Sequence, residues 1–422
     1  MQRILSTELA RHVGETVRVA GWVHRRRLLK SVAFLIVRDA AGFTQVVVAD
    51  PEARARVEAL PEETVVELTG TVTANPAAPA GVELTGPTVR VLSGALAVPL
   101  PFELHRPVLT AALPTQLDHA ALALRHPSRA AALRIAAAAA AGFRAALEER
   151  RFVEIHTPKI VASATESGAN VFALDYFGRP AYLAQSPQFY KQMMVGVFER
   201  VYEVGPVFRA EPHDTARHLA QYTSLDAELG FIADHRDVMA VLTEVVAGMT
   251  ATVAERTGVA VPEVPKEIPA LHFAEALRIA GAPADEPDLA PAHERALGEW
   301  ALREHGSEFV FVTGYPMRKR PFYTHPQPSD PAWSNSFDLL FRGLELVTGG
   351  QRLHRYEDYR AALAARGETT EAYPGYLDAF RYGMPPHGGF AIGLERFVAR
   401  LTGATNVREV TAFPRDRHRV TP

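Results

Sequence analysis

Residues 201–231, VYEVGPVFRAEPHDTARHLAQYTSLDAELGF, constrain this chain more than any other stretch. Apolar and polar residues alternate through VYEVGPVFRAE, a polar loop PHDTARHL follows, and alternation resumes in QYTSLDAELGF. Period-two alternation on both sides of a polar turn predicts two antiparallel strands. Arg209, Glu211, Arg217, His218 and Leu219 sit on or between them, and the aromatic Tyr222 follows. Arginines clamp phosphate oxygens in bidentate geometry. A strand-mounted carboxylate accepts from an adenine amino group, and a ring stacks on the base. The expectation is an ATP-shaped site on a rigid antiparallel platform, not on a glycine-rich loop before a helix. A hairpin whose charges are merely solvated carries the same residues, so the rest of the chain has to decide.

A length of 422 residues allows two or three domains, and 47 % hydrophobic residues allow a large core. A net charge of −3 leaves RNA binding to local patches. With no cysteine there is no disulfide, thiol nucleophile or thiolate zinc site. The opening MQRILSTELARHVGE lacks the apolar core of a leader, and the Ala-rich run near 130–147 is interrupted by Arg134 and Arg144. The expectation is a soluble, cytoplasmic protein with no membrane segment.

Residues 15–92 read as five short strands punctuated by glycines. This predicts a small barrel, of the oligonucleotide-binding (OB) type or SH3-like on strand pattern alone. His24, Arg25, Arg26, Arg27 and Lys30 precede the apolar run carrying Phe34. Basic groups beside an aromatic suit single-stranded RNA, although composition alone favours Phe34 as core beside a solvated turn. Residues 96–127 are Pro-rich and read as a linker and hinge; Ser128 then caps a long alanine-rich helix. Residues 232–308 hold amphipathic helical runs with no assignable chemistry.

The 201–231 hairpin resembles motif 2 of class II aminoacyl-tRNA synthetases, in the aspartate/asparagine/lysine subgroup. RFVEIHTPKI, 151–160, resembles motif 1, and GMPPHGGFAIGLER within 380–403 resembles motif 3. Residues 182–192, YLAQSPQFYKQ, are similar to the substrate-defining stretch of aspartyl-tRNA synthetases, and FLIVRDAAGFTQVVV to their anticodon-binding barrel. The resemblance implies an α+β chain: an N-terminal five-stranded OB-fold barrel over 1–95, a hinge over 96–127, and over 128–422 a class II catalytic domain, an antiparallel sheet flanked by helices. It implies aspartate binding by Glu166, Gln188, Lys191, Arg209, Thr348 (usually serine) and Arg352. ATP falls to Arg209, Glu211, Arg217, His218, Leu219, Tyr222, Glu345, Gly393, Leu394, Glu395 and Arg396, with Arg209 and Arg396 catalytic. Gly388, Gly389 and Gly393 are expected to let backbone approach the adenosine. Mg²⁺ falls to Asp338, Glu345 and Thr348; His354 reads as structural. Phe34, Gln45 and Glu83 would read the anticodon. His24 and Pro79 stand where relaxed enzymes carry His and Pro, implying that tRNA(Asp) and tRNA(Asn) are both charged.

The implied activity is ATP-dependent formation of aspartyl-adenylate, then transfer to tRNA, by a homodimer. Aspartyl product on tRNA(Asn) would pass to a tRNA-dependent amidotransferase. Three other readings stay open: an aspartyl-tRNA synthetase that discriminates against tRNA(Asn), an asparagine-specific synthetase, against which Lys191 argues, and a non-catalytic RNA- or amino-acid-binding relative.

Overall fold

The computed structural model describes residues 1–162 and 170–422, so Glu166 lies outside the described residues. The chain divides into two units, Met1–His126 and Pro127–Pro422.

In the first unit, strands β1 (Thr16–Leu28), β2 (Ala33–Arg38), β3 (Phe43–Val48), β4 (Val65–Ala74) and β5 (Val82–Ser93) close a barrel in the order β1-β2-β3-β5-β4. Alternate residues such as Val19, Leu35, Val46, Leu68 and Leu84 fill its interior. Helix α1 (Pro51–Glu58) lies between β3 and β4, its N-terminus capped by the Asp50 side chain on the Ala53 amide. The β1–β2 register slips between Val23 and Arg25. A bulge there puts two neighbouring residues, Val23 and His24, on the buried side. The stretch expected as a hinge belongs to this unit: it carries α2 (Leu113–Asp118) and α3 (Ala120–Ala123), and Phe102, Leu104 and Ala123 form a small apolar cluster.

The second unit opens with α4 (Pro127–Glu148). The helix starts one residue before the expected cap, so Ser128 sits in its first turn behind Pro127, whose fixed φ suits that position. Next come β6 (Val153–Glu154) and a small sheet of β7 (Ile160–Val161), β8 (Ala173–Tyr176) and β9 (Arg179–Leu183). Helix α5 (Gln188–Phe198) leads into the expected hairpin, β10 (Arg200–Phe208) and β11 (Gln221–Gly230). Helix α6 (His235–Thr257) follows, then β12 (Ala270–His272), α7 (Phe273–Ala280), α8 (Pro291–His305) and β13 (Phe309–Thr313). The chain continues with β14 (Ser336–Phe341), β15 (Glu345–Gln351), α9 (Tyr356–Ala364), α10 (Pro374–Arg381), β16 (His387–Gly393) and α11 (Leu394–Thr402).

One sheet of eight strands, β12-β13-β14-β15-β16-β11-β10-β6, carries the unit. Only its two edge pairs, β12 with β13 and β6 with β10, run parallel. Helices α4 and α6 are long and apolar enough to cross a bilayer by length and composition. Their apolar faces are instead buried against each other and the sheet, Phe143 and Met249 meeting Leu225, Phe337 and Phe390 in one cluster. The two helices cross at glycines: a Cβ on Gly142 would lie 2.8 Å from the Met249 Cα and 2.9 Å from the Gly248 carbonyl oxygen.

Overpacking a backbone contact of this kind costs about 1–3 kcal/mol. Gly142→Val is therefore expected to lower the urea midpoint of the full chain; an unchanged midpoint would show that the crossing yields freely.

Candidate active site

Beside β10, β11, β15 and β16 lies a cavity of about 300 Å³. Most residues expected of the site converge on it. The hairpin brings Arg209, Glu211, Arg217, His218, Leu219 and Tyr222. Helix α5 brings Gln188 and Lys191, β15 brings Glu345 and Thr348, and Arg352 follows that strand. The junction of β16 and α11 brings Gly393, Glu395 and Arg396. Leu394 does not line the cavity: apolar and 8 % exposed, it joins the core cluster beneath the sheet.

At one end of the cavity, buried charges are paired. Helix α5 begins just after Pro187, which sets Gln188 and Lys191 on one inward face. The Lys191 ammonium, 1 % exposed, donates to Asp226 Oδ1 at 3.0 Å and to the Phe390 carbonyl at 3.2 Å, and lies 3.3 Å from Glu228 Oε2. The Arg352 guanidinium donates to Glu228 Oε1 at 3.0 Å, to the Gly389 carbonyl at 3.1 Å and to Gln188 Oε1 at 3.4 Å. Burial alone would raise the Glu228 pKa, but Arg352 and then Lys191 hold it below the usual carboxylate value. Sequence reasoning missed Asp226 and Glu228. The signal was there: Ser224, Asp226 and Glu228 recur with period two, placing polar groups on one face of a strand that is buried from Ser224 to Gly230.

This arrangement also revises the glycine assignment. A Cβ on Gly389 would sit 2.1 Å from Glu228 Oε2, and one on Gly388 would sit 2.6 Å from the Gly350 carbonyl oxygen. These two glycines make room for a buried carboxylate and a close strand pairing, not for adenosine. Gly393 alone of the three lines the cavity.

The other end is rich in arginine. The Arg209 guanidinium lies 5.6 Å from the Tyr222 ring centroid, within cation–π range. Arg396 Nη1 approaches Glu345 at its carbonyl, 3.3 Å, and its carboxylate, 3.5 Å. His218 Nδ1 meets the Thr215 hydroxyl at 2.6 Å; burial, then Arg396, lowers its pKa, so the free protein carries it neutral at pH 7. Glu395 accepts the Thr223 amide on both oxygens, at 3.0 and 3.1 Å, and so braces the strand that carries Tyr222.

Asp338 lies behind the cavity wall, 4 % exposed, opposite Thr348 in the β14–β15 register. Its Oδ1 is buried without a hydrogen-bond partner, and Arg320, which the sequence reading did not single out, reaches Oδ2 at 3.4 Å. Burial raises the Asp338 pKa; Arg320 opposes this and Glu345 adds to it. Thr348 Oγ1 donates to Glu345 Oε1 at 3.4 Å.

On the barrel, β2, β3 and β5 set Phe34, Gln45 and Glu83 on the outer face, all half-buried. Gln45 Nε2 and Asn75 Nδ2 both donate to Glu83 Oε2 at 2.8 Å. Arg27 stands opposite Phe34 in register. Pro79 is exposed between β4 and β5. His24 is not part of the exposed basic cluster: the bulge turns it inward to Arg38 Nη1 at 3.1 Å, and Arg38 pairs with Glu63 at 2.9 Å. Burial, then Arg38, lowers its pKa to about 4.

Residues 112–417 match the family described as tRNA synthetases class II (D, K and N), and residues 17–92 match the OB-fold nucleic acid binding domain. The chain belongs to the class II tRNA synthetases of the D, K and N group. Its barrel is accordingly an OB fold rather than an SH3-like one. The synthetase is 47 % identical to the aspartate–tRNA(Asp/Asn) ligase of Thermus thermophilus, over all of both chains. It is 45 % identical to the enzyme of that name from Deinococcus radiodurans, over 100 % of this chain and 99 % of that one. Among solved structures it superposes on the asparaginyl-tRNA synthetase of Pyrococcus horikoshii complexed with asparaginyl-adenylate, with a TM-score of 0.92, 30 % identity and full coverage of both chains.

One buried base in this synthetase gives a pH prediction. His387, 0 % exposed, accepts from Gln192 at Nε2 and donates from Nδ1 to the Pro385 carbonyl, each at 2.9 Å, which fixes the neutral form. Burial lowers its pKa to about 4, whereas an unfolded chain titrates near 6.5. Between these values only the unfolded state takes the proton, so stability falls as pH drops from about 6.5 to 4, by about 3 kcal/mol in full. His387→Gln is expected to lose less stability than the parent over that window in denaturant unfolding. Parallel losses would contradict the assignment.

Proposed function

We propose that this synthetase activates L-aspartate with ATP and transfers it to the 3′ end of tRNA(Asp) and tRNA(Asn). One observation carries the amino-acid assignment: a buried ammonium, Lys191, faces the same cavity as Arg352, and Glu228 bridges the two. Asp226 and Glu228 already pair this ammonium, so an amide strands no charge; a side-chain carboxylate gains a charged hydrogen bond that an amide does not, worth about 1.5–3 kcal/mol. Arg352 takes the amino acid's carboxylate. Arg209 takes the α-phosphate, beside Tyr222 for the base. Arg217, His218 and Arg396 take the outer phosphates.

The aspartate α-carboxylate oxygen attacks the α-phosphorus of ATP, and the bond to pyrophosphate breaks. The terminal hydroxyl of tRNA then attacks the activated carbonyl, and AMP leaves. No side chain forms a covalent intermediate; these residues orient reactants and offset developing negative charge.

The residues fit Mg²⁺. Asp338 Oδ1 is a buried oxygen without a partner, and Glu345 and the Thr348 hydroxyl lie beside it. Among the described residues no three His, Asp or Glu side chains converge, so phosphate and water would complete the shell, as Mg²⁺ prefers. Bound there, the ion would neutralise phosphate charge.

On the barrel, Phe34 offers a stacking face, while Gln45 and Glu83, tied together, offer polar edges to anticodon bases. Pro79 is available to touch RNA. His24 acts from inside, through the bulge and Arg38. Relatives named for both tRNAs support the relaxed reading, and aspartyl product on tRNA(Asn) would pass to an amidotransferase. The motif 1 segment contains edge strand β6, whose Val153 is 38 % exposed; a second copy would cover it, so light scattering should give twice the 46.1 kDa chain mass.

Aminoacylation of both tRNAs with each amino acid is the test. Aspartate is expected on both; a preference beyond about a hundredfold for tRNA(Asp) would overturn relaxed charging, and asparagine on tRNA(Asn) would favour the asparagine enzyme. Lys191→Gln is expected to cut kcat/KM for aspartate in pyrophosphate exchange at least about thirtyfold, the equivalent of 2 kcal/mol.

A further inference from the structure

We infer that Glu294 is a positioning residue for the outer phosphates of ATP, acting through Arg217 and Glu345. This rests on the reading that the cavity takes ATP. The residue comes from α8, in the part of the chain where the sequence showed no chemistry. It is 3 % exposed. Arg217 Nη1 lies 3.3 Å from each of its carboxylate oxygens, and Oε2 also accepts the Glu345 amide at 3.0 Å. Glu345 in turn meets Arg396. One buried carboxylate thus ties the loop arginine of the hairpin to the residue that Arg396 touches on the other side.

A second observation shows that the helix is built to hold this contact. A Cβ on Gly298 of α8 would lie 2.6 Å from the Gly343 amide nitrogen and 2.7 Å from its Cα. Gly343 itself has a φ of +68° in the β14–β15 turn, and its own Cβ would meet the Arg295 Cα at 2.9 Å. Backbone lies on backbone, so α8 is fixed at Arg295 and Gly298, just beyond Glu294, against the turn that leads into β15. Arg217 has a side chain 31 % exposed on a loop. Unheld, it would lose rotamer freedom on gripping a phosphate; held by Glu294, that ordering is already done. The bland account is that Glu294 only complements the N-terminus of α8. That role would affect every ligand alike.

The discriminating pair is ATP and AMP, since AMP lacks the outer phosphates. Calorimetric titration of each, with Mg²⁺ present, is made on the parent chain, Glu294→Gln, Arg217→Ala and the double variant. Losing a charged hydrogen bond should weaken ATP binding by Glu294→Gln about tenfold, with AMP binding unchanged within about twofold. The half-saturating ATP in pyrophosphate exchange should rise with it, and the double variant should weaken ATP binding by less than the product of the single effects. Equal weakening of AMP and ATP would overturn the inference and leave a structural role. So would unchanged ATP binding in a folded Glu294→Gln protein, or fully multiplicative effects. Glu294→Asp, which keeps the charge but withdraws it by one methylene, serves the same comparison where the glutamine variant does not fold. A parent chain that binds neither nucleotide would overturn the ATP reading and this inference together.

Discussion

Two cations and two anions meet where almost no water reaches: Lys191, Arg352, Asp226 and Glu228, all at or below 7 % exposure. Glu228 is the hinge of the set, taking Arg352 on one oxygen and Lys191 on the other. Removing one member of such a set strands its partner's charge, a loss of about 3–5 kcal/mol. The surrounding structure is arranged to keep the set intact. Strand β11 carries both carboxylates, β16 supplies the Phe390 and Gly389 carbonyls, and Gly389 has no side chain because Glu228 occupies that space. The set is formally neutral before any ligand arrives. On the proposed reading, selectivity for an acidic amino acid therefore comes from the placement of donors around the cavity, not from a surplus of positive charge.

The opposite end of the cavity follows a different rule. Its arginines are half-exposed and held by carboxylates at longer range, Arg217 by Glu294 and Arg396 by Glu345. Each contact uses one guanidinium nitrogen, Nη1, and leaves the other donors to a phosphate while the carboxylate keeps its hold. On the proposed reading, the amino-acid end is internally paired, whereas the nucleotide end holds its arginines in place for a ligand to complete. Both are mounted on one sheet, with α4 and α6 packed among its core residues.

Much of this was legible in the sequence because alternation and motif order report backbone geometry directly. The barrel strands and the β10–β11 hairpin lie where pattern put them. What was not legible depends on tertiary contact. The bulge that buries His24 breaks the alternation it would be judged by. Glu294 looks like any charged residue on an amphipathic helix until α8 is laid on the Gly343 turn. Leu394 and Gly389 sit inside motif 3, yet their side-chain positions serve the core and Glu228. The Pro-rich stretch before α4 carried no periodicity, and its short helices owe their place to a few apolar contacts around Phe102 and Leu104.

The central claim is that the paired set reads the side chain of the amino acid. The most direct measurement is calorimetric binding of two non-hydrolysable adenylate analogues, sulfamoyl-adenosines bearing aspartyl or asparaginyl groups. The two differ only in carboxylate against amide. The account predicts that the aspartyl compound binds at least about thirtyfold more tightly, the equivalent of 2 kcal/mol. Equal affinities, or a preference for the asparaginyl compound, would contradict it.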